Sequence, residues 1–257
     1  NMTNININID FSVFQNELRR ELHSHIVSLQ ILLENLNENS ITNREVKLGI
    51  LGIQMPLIPN HNLVMSKNEI NKAFISTIRS FQNFIDKLIA LIEFFKKEYK
   101  TEYDIKSSLD FDIFLQKKLN EIINEISTDK SLNFPKKLQK LNIDEDTKKI
   151  LLGYSTLRNN LEHHKDVSSK DTELNFFVTS IYVNDIELTE LNQIIEKGSV
   201  IDVRKKTKTR LISKGENVEI FESEIFEIIF TLSELISSEL INSTFKILET
   251  NNSEKQI

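Results

Sequence analysis

Apolar residues recur at three- and four-residue intervals through most of this chain, the spacing that gathers them on one face of an α-helix. Phe14, Leu18, Leu22, Leu29, Leu32 and Leu36 predict a first helix from about Ser12 to Leu36, and Ser12 with Gln15 has the spacing of a capping box. The stretch 37–65 holds two of the three prolines and two glycines, and reads as a long connection with one short apolar piece, Leu48 to Ile53. Ser66-Lys67-Asn68-Glu69 repeats the capping pattern and opens a second helix to about Tyr99, carried by Phe74, Ile78, Phe81, Ile85, Leu88, Ile92 and Phe95. A third helix covers about Leu109 to Ile126, and Asn133 to Leu141 reads as a loop around Pro135. The fourth helix starts in Asp144-Glu145-Asp146, where negative charge suits the positive end of a helix dipole, and runs to about His164.

The period then changes. Asn175 to Leu188, Val200 to Val203 and Arg210 to Ile212 are rich in β-forming residues and read as strands. Lys214-Gly215-Glu216 forms a turn before a further strand-like piece, Val218 to Ile220. A last amphipathic helix follows from about Glu222 to Leu248, with Ile225, Ile228, Ile229, Leu232, Leu235, Ile236 and Leu240. The expected fold is mostly α: an antiparallel helical bundle with a small β insertion between its last two long helices. It forms one domain over residues 1–257, with the β-containing insertion at 170–221.

Composition narrows the chemistry. At 257 residues and 39% hydrophobic content the chain can bury a sizeable core. Without cysteine it carries no disulfide framework, no thiolate zinc site and no cysteine nucleophile. Among its five histidines none forms an HExxH pair, so neither a metal nor a cofactor is expected. Basic and acidic residues number 32 and 38, a net charge of −6; a polyanion must therefore be met by a local basic patch. No apolar run approaches the ~18–20 residues of a membrane span. The opening NMTNININIDF lacks a positive segment and a long apolar run. We expect no signal peptide, no membrane and a cytoplasmic location; Asn1 ahead of Met2 looks like the remnant of a tag.

One motif carries candidate chemistry. In Arg158-Asn159-Asn160-Leu161-Glu162-His163 an arginine and a histidine stand near the end of the fourth helix. Metal-free RNA cleavage needs a base for the 2′-OH and fixed positive charge for the phosphorane; a histidine supplies the first and an arginine the second. With Arg158 at zero on a helical wheel, Ile150, Tyr154, Leu157 and Leu161 fall between ~260° and ~320° and form the buried stripe. Asn159 and His163 fall at ~100° and ~140°, facing solvent or a partner chain. Arg158 stands ~140° from His163 on a straight helix, so a long arginine side chain, a kink or a second subunit must close the gap. Glu162, at ~40°, is placed either to pair with Arg158 or to stand exposed.

Arg-Asn-(three residues)-His on the penultimate long helix resembles the RX4–6H signature of the HEPN superfamily. The tail is similar as well: Gly198-Ser199-Val200-Ile201-Asp202, then Lys214-Gly215-Glu216-Asn217-Val218-Glu219-Ile220, then a final helix. The likeness covers roughly Asp144 to the end; before it, the chain resembles the family only in being helical. It implies a helical bundle that forms a homodimer, joins two copies of the motif in a cleft and cuts RNA without metal. It implies His163 as general base or acid, Arg158 on the scissile phosphate, and Asn159 orienting the histidine or the substrate. It also implies a prokaryotic toxin or antiviral defence effector, with an antitoxin or defence-system partner protein. One departure is Lys165, which stands two residues after the histidine. Toxins silenced by nucleotide transfer have tyrosine there, and such silencing is not expected here.

His164, at ~240° beside the apolar stripe, reads as a packing residue or a support to His163. Arg20-(four)-His25 has similar spacing, but His25 shares a face with Phe14, Leu18 and Leu36 and reads as a core histidine. His61 lies in a predicted loop. Arg204, Lys205, Lys206, Lys208, Arg210 and Lys214 form the strongest basic cluster, either a solvated surface or a phosphate-tracking patch for RNA. The alternative to an endoribonuclease is a non-catalytic helical module that binds RNA, a nucleotide or a protein partner through the β insertion and the segment around His61. A third reading is a purely structural assembly protein.

Overall fold

The computed structural model describes residues 10–38, 44–48, 51–55, 61–97, 108–164, 166–187 and 200–253. The chain is mostly helical, with a small antiparallel sheet between its last two long helical stretches. It divides into two compact units. The first comprises 1–24, 77–155 and 232–257, and the second 25–76 and 156–231. The chain passes between them inside four helical stretches. Among the described residues no helix is long and apolar enough to cross a membrane.

In the first unit, the opening part of α1 (Phe11–Glu38) and the closing part of α2 (His61–Lys97) run antiparallel. Glu17 meets Lys87, and four residues on Glu21 accepts from Ser80. The last helical run also lies antiparallel to α1: Phe11 meets Phe245, Gln15 donates to Ser237 and Ser238, and Arg19 pairs with Glu234. Buried Leu18, Leu22, Phe81, Ile85, Leu88, Leu151, Tyr154, Leu232 and Leu240 fill this core.

Several boundaries depart from the sequence reading, each for a local reason. The first helix begins one residue earlier, capped by Asp10, whose carboxylate accepts the Ser12 N–H at 2.9 Å; Gln15 is spent on the final helix instead of a capping box. The second helix starts at His61. Ser66 is therefore interior, and the expected loop around His61 is helical; Asn62 donates to the Leu36 carbonyl at 2.8 Å. α3 (Ser108–Thr128) matches its expected span within two residues. The expected loop around Pro135 is a short helix, α4 (Phe134–Lys140). Asn133 caps it through the Lys136 N–H, and proline is tolerated in a first turn, where its missing N–H is not needed. α5 (Glu145–His163) starts after Asp144, which accepts the Thr147 N–H at 2.9 Å.

The second unit holds the sheets. Arg44–Leu48 (β1) and Leu51–Met55 (β2) pair as a hairpin within the stretch expected to be a connection. Thr172–Val183 (β3) pairs with Ile201–Ile212 (β5) over its whole length, and with Ile186–Glu187 (β4) at its end. The expected strand 175–188 is thus broken by a two-residue turn. Asn184 and Asp185 both have positive φ, at 51° and 66°, as the turns that suit hairpin twist require. The pieces expected at 200–203 and 210–212 are two ends of one strand, and the basic run lies between them. Val218 to Ile220 is not a strand, although Val218 and Ile220 are buried.

α6 (Glu222–Phe230) continues into a π-helical segment, Thr231–Ile236, and then α7 (Ser237–Ser253). The expected single helix is therefore wider in its middle. Hydroxyls of Thr231, Ser237, Ser238 and Thr244 bond carbonyls four residues back, competing with the main-chain ladder. Thr231 also accepts the Phe177 N–H at 3.0 Å, which docks β3 onto the helix.

Candidate functional site

The last turns of α5 hold the Arg-Asn-(three)-His motif in the second unit. Tyr154 and Leu157 are buried, and they fix which way the helix faces. Asn159 is exposed and so is His163, whose side chain is 67% exposed. Leu161 is only half-buried, because the helix ends two residues later.

Arg158 does not point freely outward. Its Nε and Nη2 donate to Glu162 Oε2 at 2.9 and 2.6 Å, one helical turn on. The arginine side chain is 20% exposed and the glutamate 8%, so this pair is far better shielded than a surface ion pair. His163 Nε2 stands 3.7 Å from the same Oε2. That is beyond a hydrogen bond, but it is close enough for attraction when the imidazole is protonated. One carboxylate oxygen therefore lies against both the arginine and the histidine, and it spans the angular gap between them on the helix.

His164 is exposed. It stands just past the end of the helix, and its exposure does not fit the packing reading. Its N–H donates to the Asn160 carbonyl at 2.9 Å, and its carbonyl accepts from Val167 at 3.1 Å. His25 is half-buried, not a core residue. It lines an open groove with Ser28, Leu29 and Leu32 of α1 and Glu69, Lys72, Ala73 and Ser76 of α2.

The residue that sequence reasoning passed over is Asn160, which is 1% exposed. Its Oδ1 accepts from Ser169 at 2.9 Å, and its Nδ2 lies 3.4 Å from Ser168 Oγ. These bonds hold the chain after the helix against its last turn. Asp166, with φ at 61°, helps reverse that chain, and its carbonyl accepts the Val218 N–H. Ser168 and Glu216 are joined main chain to main chain at 2.8 Å. The base of the β5 turn thereby braces the end of α5. The available signal was a second asparagine at ~200°, adjoining the apolar stripe, followed by a serine pair eight and nine residues on.

The basic run lies on β5, and its even-numbered members share one face. Arg204 pairs with Asp202 at 2.7 Å and with Asp185, and lies 4.3 Å from the Tyr182 ring centre. Lys206 lies 5.3 Å from the same ring. Lys208 reaches Glu227 at 3.4 Å. Arg210 forks onto Glu224 at 2.6 and 2.7 Å, donates to the Glu219 carbonyl and covers the Phe221 ring. Glu224 is 6% exposed and also accepts the Phe221 N–H, so Arg210 ties β5 to the start of α6. Lys205 belongs to the same strand. Lys214 is exposed, with its N–H on Asp171. Among the described residues no group of three or more histidine and carboxylate side chains is placed to share a metal ion. No protein-family model, curated protein or solved structure matches this chain.

Proposed function

We propose that this chain is a metal-independent endoribonuclease of the HEPN type, a cytoplasmic homodimer acting as a prokaryotic toxin or antiviral defence effector. What carries the reading is one pairing: an exposed His163 on the turn that also holds Arg158, with a carboxylate between them. His163 takes the proton of a ribose 2′-OH. The freed oxygen attacks the adjacent phosphorus, the bond to the 5′-oxygen breaks, that oxygen leaves as a hydroxyl on taking up the proton His163 holds, and a 2′,3′-cyclic phosphate remains. Arg158 meets the charge that builds on the phosphorane, and Asn159 orients histidine or substrate. Glu162 and His164 support the pair, while Arg204, Lys205, Lys206 and Lys208 follow the RNA backbone. Arg210 joins them only by releasing Glu224. A second copy of the chain completes the cleft, and an antitoxin or defence partner restrains it.

The test is incubation with mixed transfer and messenger RNA in EDTA, beside His163→Ala. Fragments with cyclic-phosphate ends from the unaltered protein alone are expected. Equal cutting by the variant refutes the assignment. A second reading, a non-catalytic module for a protein partner, is favoured by exposed apolar Val27, Ile31, Leu63 and Val64 in the same unit. It predicts that neither protein cuts RNA.

A further inference from the structure

We propose that the outer edge of β5 is a docking site for an extended acidic segment of a partner protein, which adds to the sheet as a further strand. The inference goes beyond the nuclease reading and does not depend on it. In antiparallel pairing, main-chain groups point alternately toward the neighbouring strand and away from it. Asn184 N–H donates to the Val200 carbonyl at 2.9 Å, so along the register that continues from there the even-numbered residues of β3 and β5 face each other. The odd-numbered residues point to the two outer edges. On β3 that edge is used: Phe177 N–H donates to Thr231 Oγ1 at 3.0 Å. On β5, Thr207, Thr209 and Leu211 are exposed, and their outward main-chain groups have no hydrogen-bond partner among the described residues.

An open edge invites pairing, and proteins blunt it with short strands, bulges, proline or charge. β5 has 12 residues, about twice the usual length of a strand. It pairs with β3 without a bulge and contains no proline. What it carries is charge: Arg204, Lys206 and Lys208 stand at alternate positions on one face. Two copies of β5 side by side would set cation against cation, which disfavours a second copy of this chain. A strand with an acidic residue at every second position sets a carboxylate beside each cation, at the same repeat of about 7 Å. Asp185, Asp202 and Glu227 now pair with Arg204 and Lys208 at the surface, and such pairs exchange at little cost. Main-chain bonds thus supply affinity, and the spacing of the cations selects the segment.

The experiment is fluorescence anisotropy with a labelled peptide of alternating glutamate and threonine, roughly nine residues long. It is added to the unaltered full-length protein and to Thr207→Pro. Proline removes an outward N–H that the ladder with β3 does not use, so the variant keeps its hairpin and loses a bond that the added strand needs. Its affinity for the peptide should fall at least about tenfold. A peptide of the same composition with its glutamates gathered at one end should bind the unaltered protein just as weakly. Should the variant fail to fold, methylated peptides decide on the unaltered protein. Methyl groups on alternate main-chain nitrogens should abolish binding in one phase and spare it in the other, because only every second N–H faces β5. No binding by the unaltered protein, equal affinity in Thr207→Pro, equal affinity for the clustered peptide, or indifference to the methylation phase overturns the proposal. So does self-association that Thr207→Pro abolishes, which gives the edge to a second copy, or RNA binding that this variant loses, which gives it to RNA.

Discussion

At the scale of single residues, the end of α5 depends most on Asn160, a buried amide that touches no substrate in the proposed reaction. Asn160→Ala removes its bonds to Ser168 and Ser169, while Ser168 keeps its bond to the Lys170 carbonyl. We expect a loss of about 1–3 kcal/mol in urea unfolding, with cleavage reduced because the turn bearing His163 loosens. Asp144, at the other end of the helix, gives a pH prediction. Its hydrogen bond with the Glu239 carboxyl, and then those from Thr147, hold its pKa down to about 2 from 3.8. A depressed carboxylate stabilises the fold above its unfolded pKa, and that contribution disappears as pH falls through the folded value. The thermal midpoint should therefore drop between pH 4 and pH 2. Asp144→Asn, which still caps the helix, should flatten that drop. Because Asp144 is largely exposed, water screens the effect and a shift of only a few degrees is expected.

At the scale of elements, the π-helical segment and the buried Asp86–Lys137 pair test how the pieces are joined. Thr231→Val keeps the shape but leaves the Phe177 N–H without the hydroxyl that accepts it. A cost of about 1–2 kcal/mol is expected in chemical denaturation, and a cost near zero would mean that β3 docks by apolar contact alone. Lys137 Nζ stands 2.7 Å from one oxygen of Asp86 and donates to the other at 2.9 Å, while burial raises the Asp86 pKa against the pull of that lysine. Asp86→Ala should cost about 3 kcal/mol by stranding the cation, and adding Lys137→Met should recover most of it. Helices were legible where stripes were long, as in Phe74 through Phe95, because many periodic positions outvote any one residue. Short elements were not. Pro135 looked like a loop marker but sits in a first turn, and Gly49 and Gly52 hid a hairpin of five-residue strands. Strand β5 was obscured because Arg204, Lys206, Lys208 and Arg210 occupy one face, leaving no apolar alternation to read. At the site, the wheel placed Asn159 and His163 outward, as they stand. It left open how Arg158 and Glu162 are placed, since a wheel carries no side-chain torsions.

At the scale of the whole molecule, a net charge of −6 must be reconciled with the proposed polyanionic substrate, and the pairing of the cations decides how. Arg204 and Lys208 are held by surface carboxylates, with Arg204 44% and Lys208 61% exposed. Such pairs are worth at most about 1 kcal/mol and exchange readily for phosphate. Arg210 is held by a carboxylate only 8% exposed and by a main-chain carbonyl, so its release is costly. The basic run therefore splits into cations able to meet RNA and one committed to the fold. Each phosphate contact to single-stranded RNA contributes about −0.7 to the slope of log affinity against log salt. Replacing both Arg204 and Lys208 by glutamine should weaken binding and make that slope shallower by roughly 1.4. Arg210→Gln should leave the slope unchanged while lowering the unfolding midpoint. Fluorescence anisotropy with a labelled single-stranded RNA between 50 and 200 mM salt, on the same range for each variant, measures all three proteins. A slope that stays fixed in the double variant removes Arg204 and Lys208 from the RNA path and leaves Lys205, Lys206 and the α5 motif as the contacts proposed for the substrate. A slope that shallows in Arg210→Gln means that Glu224 yields its arginine to RNA, and that the start of α6 loosens when substrate binds.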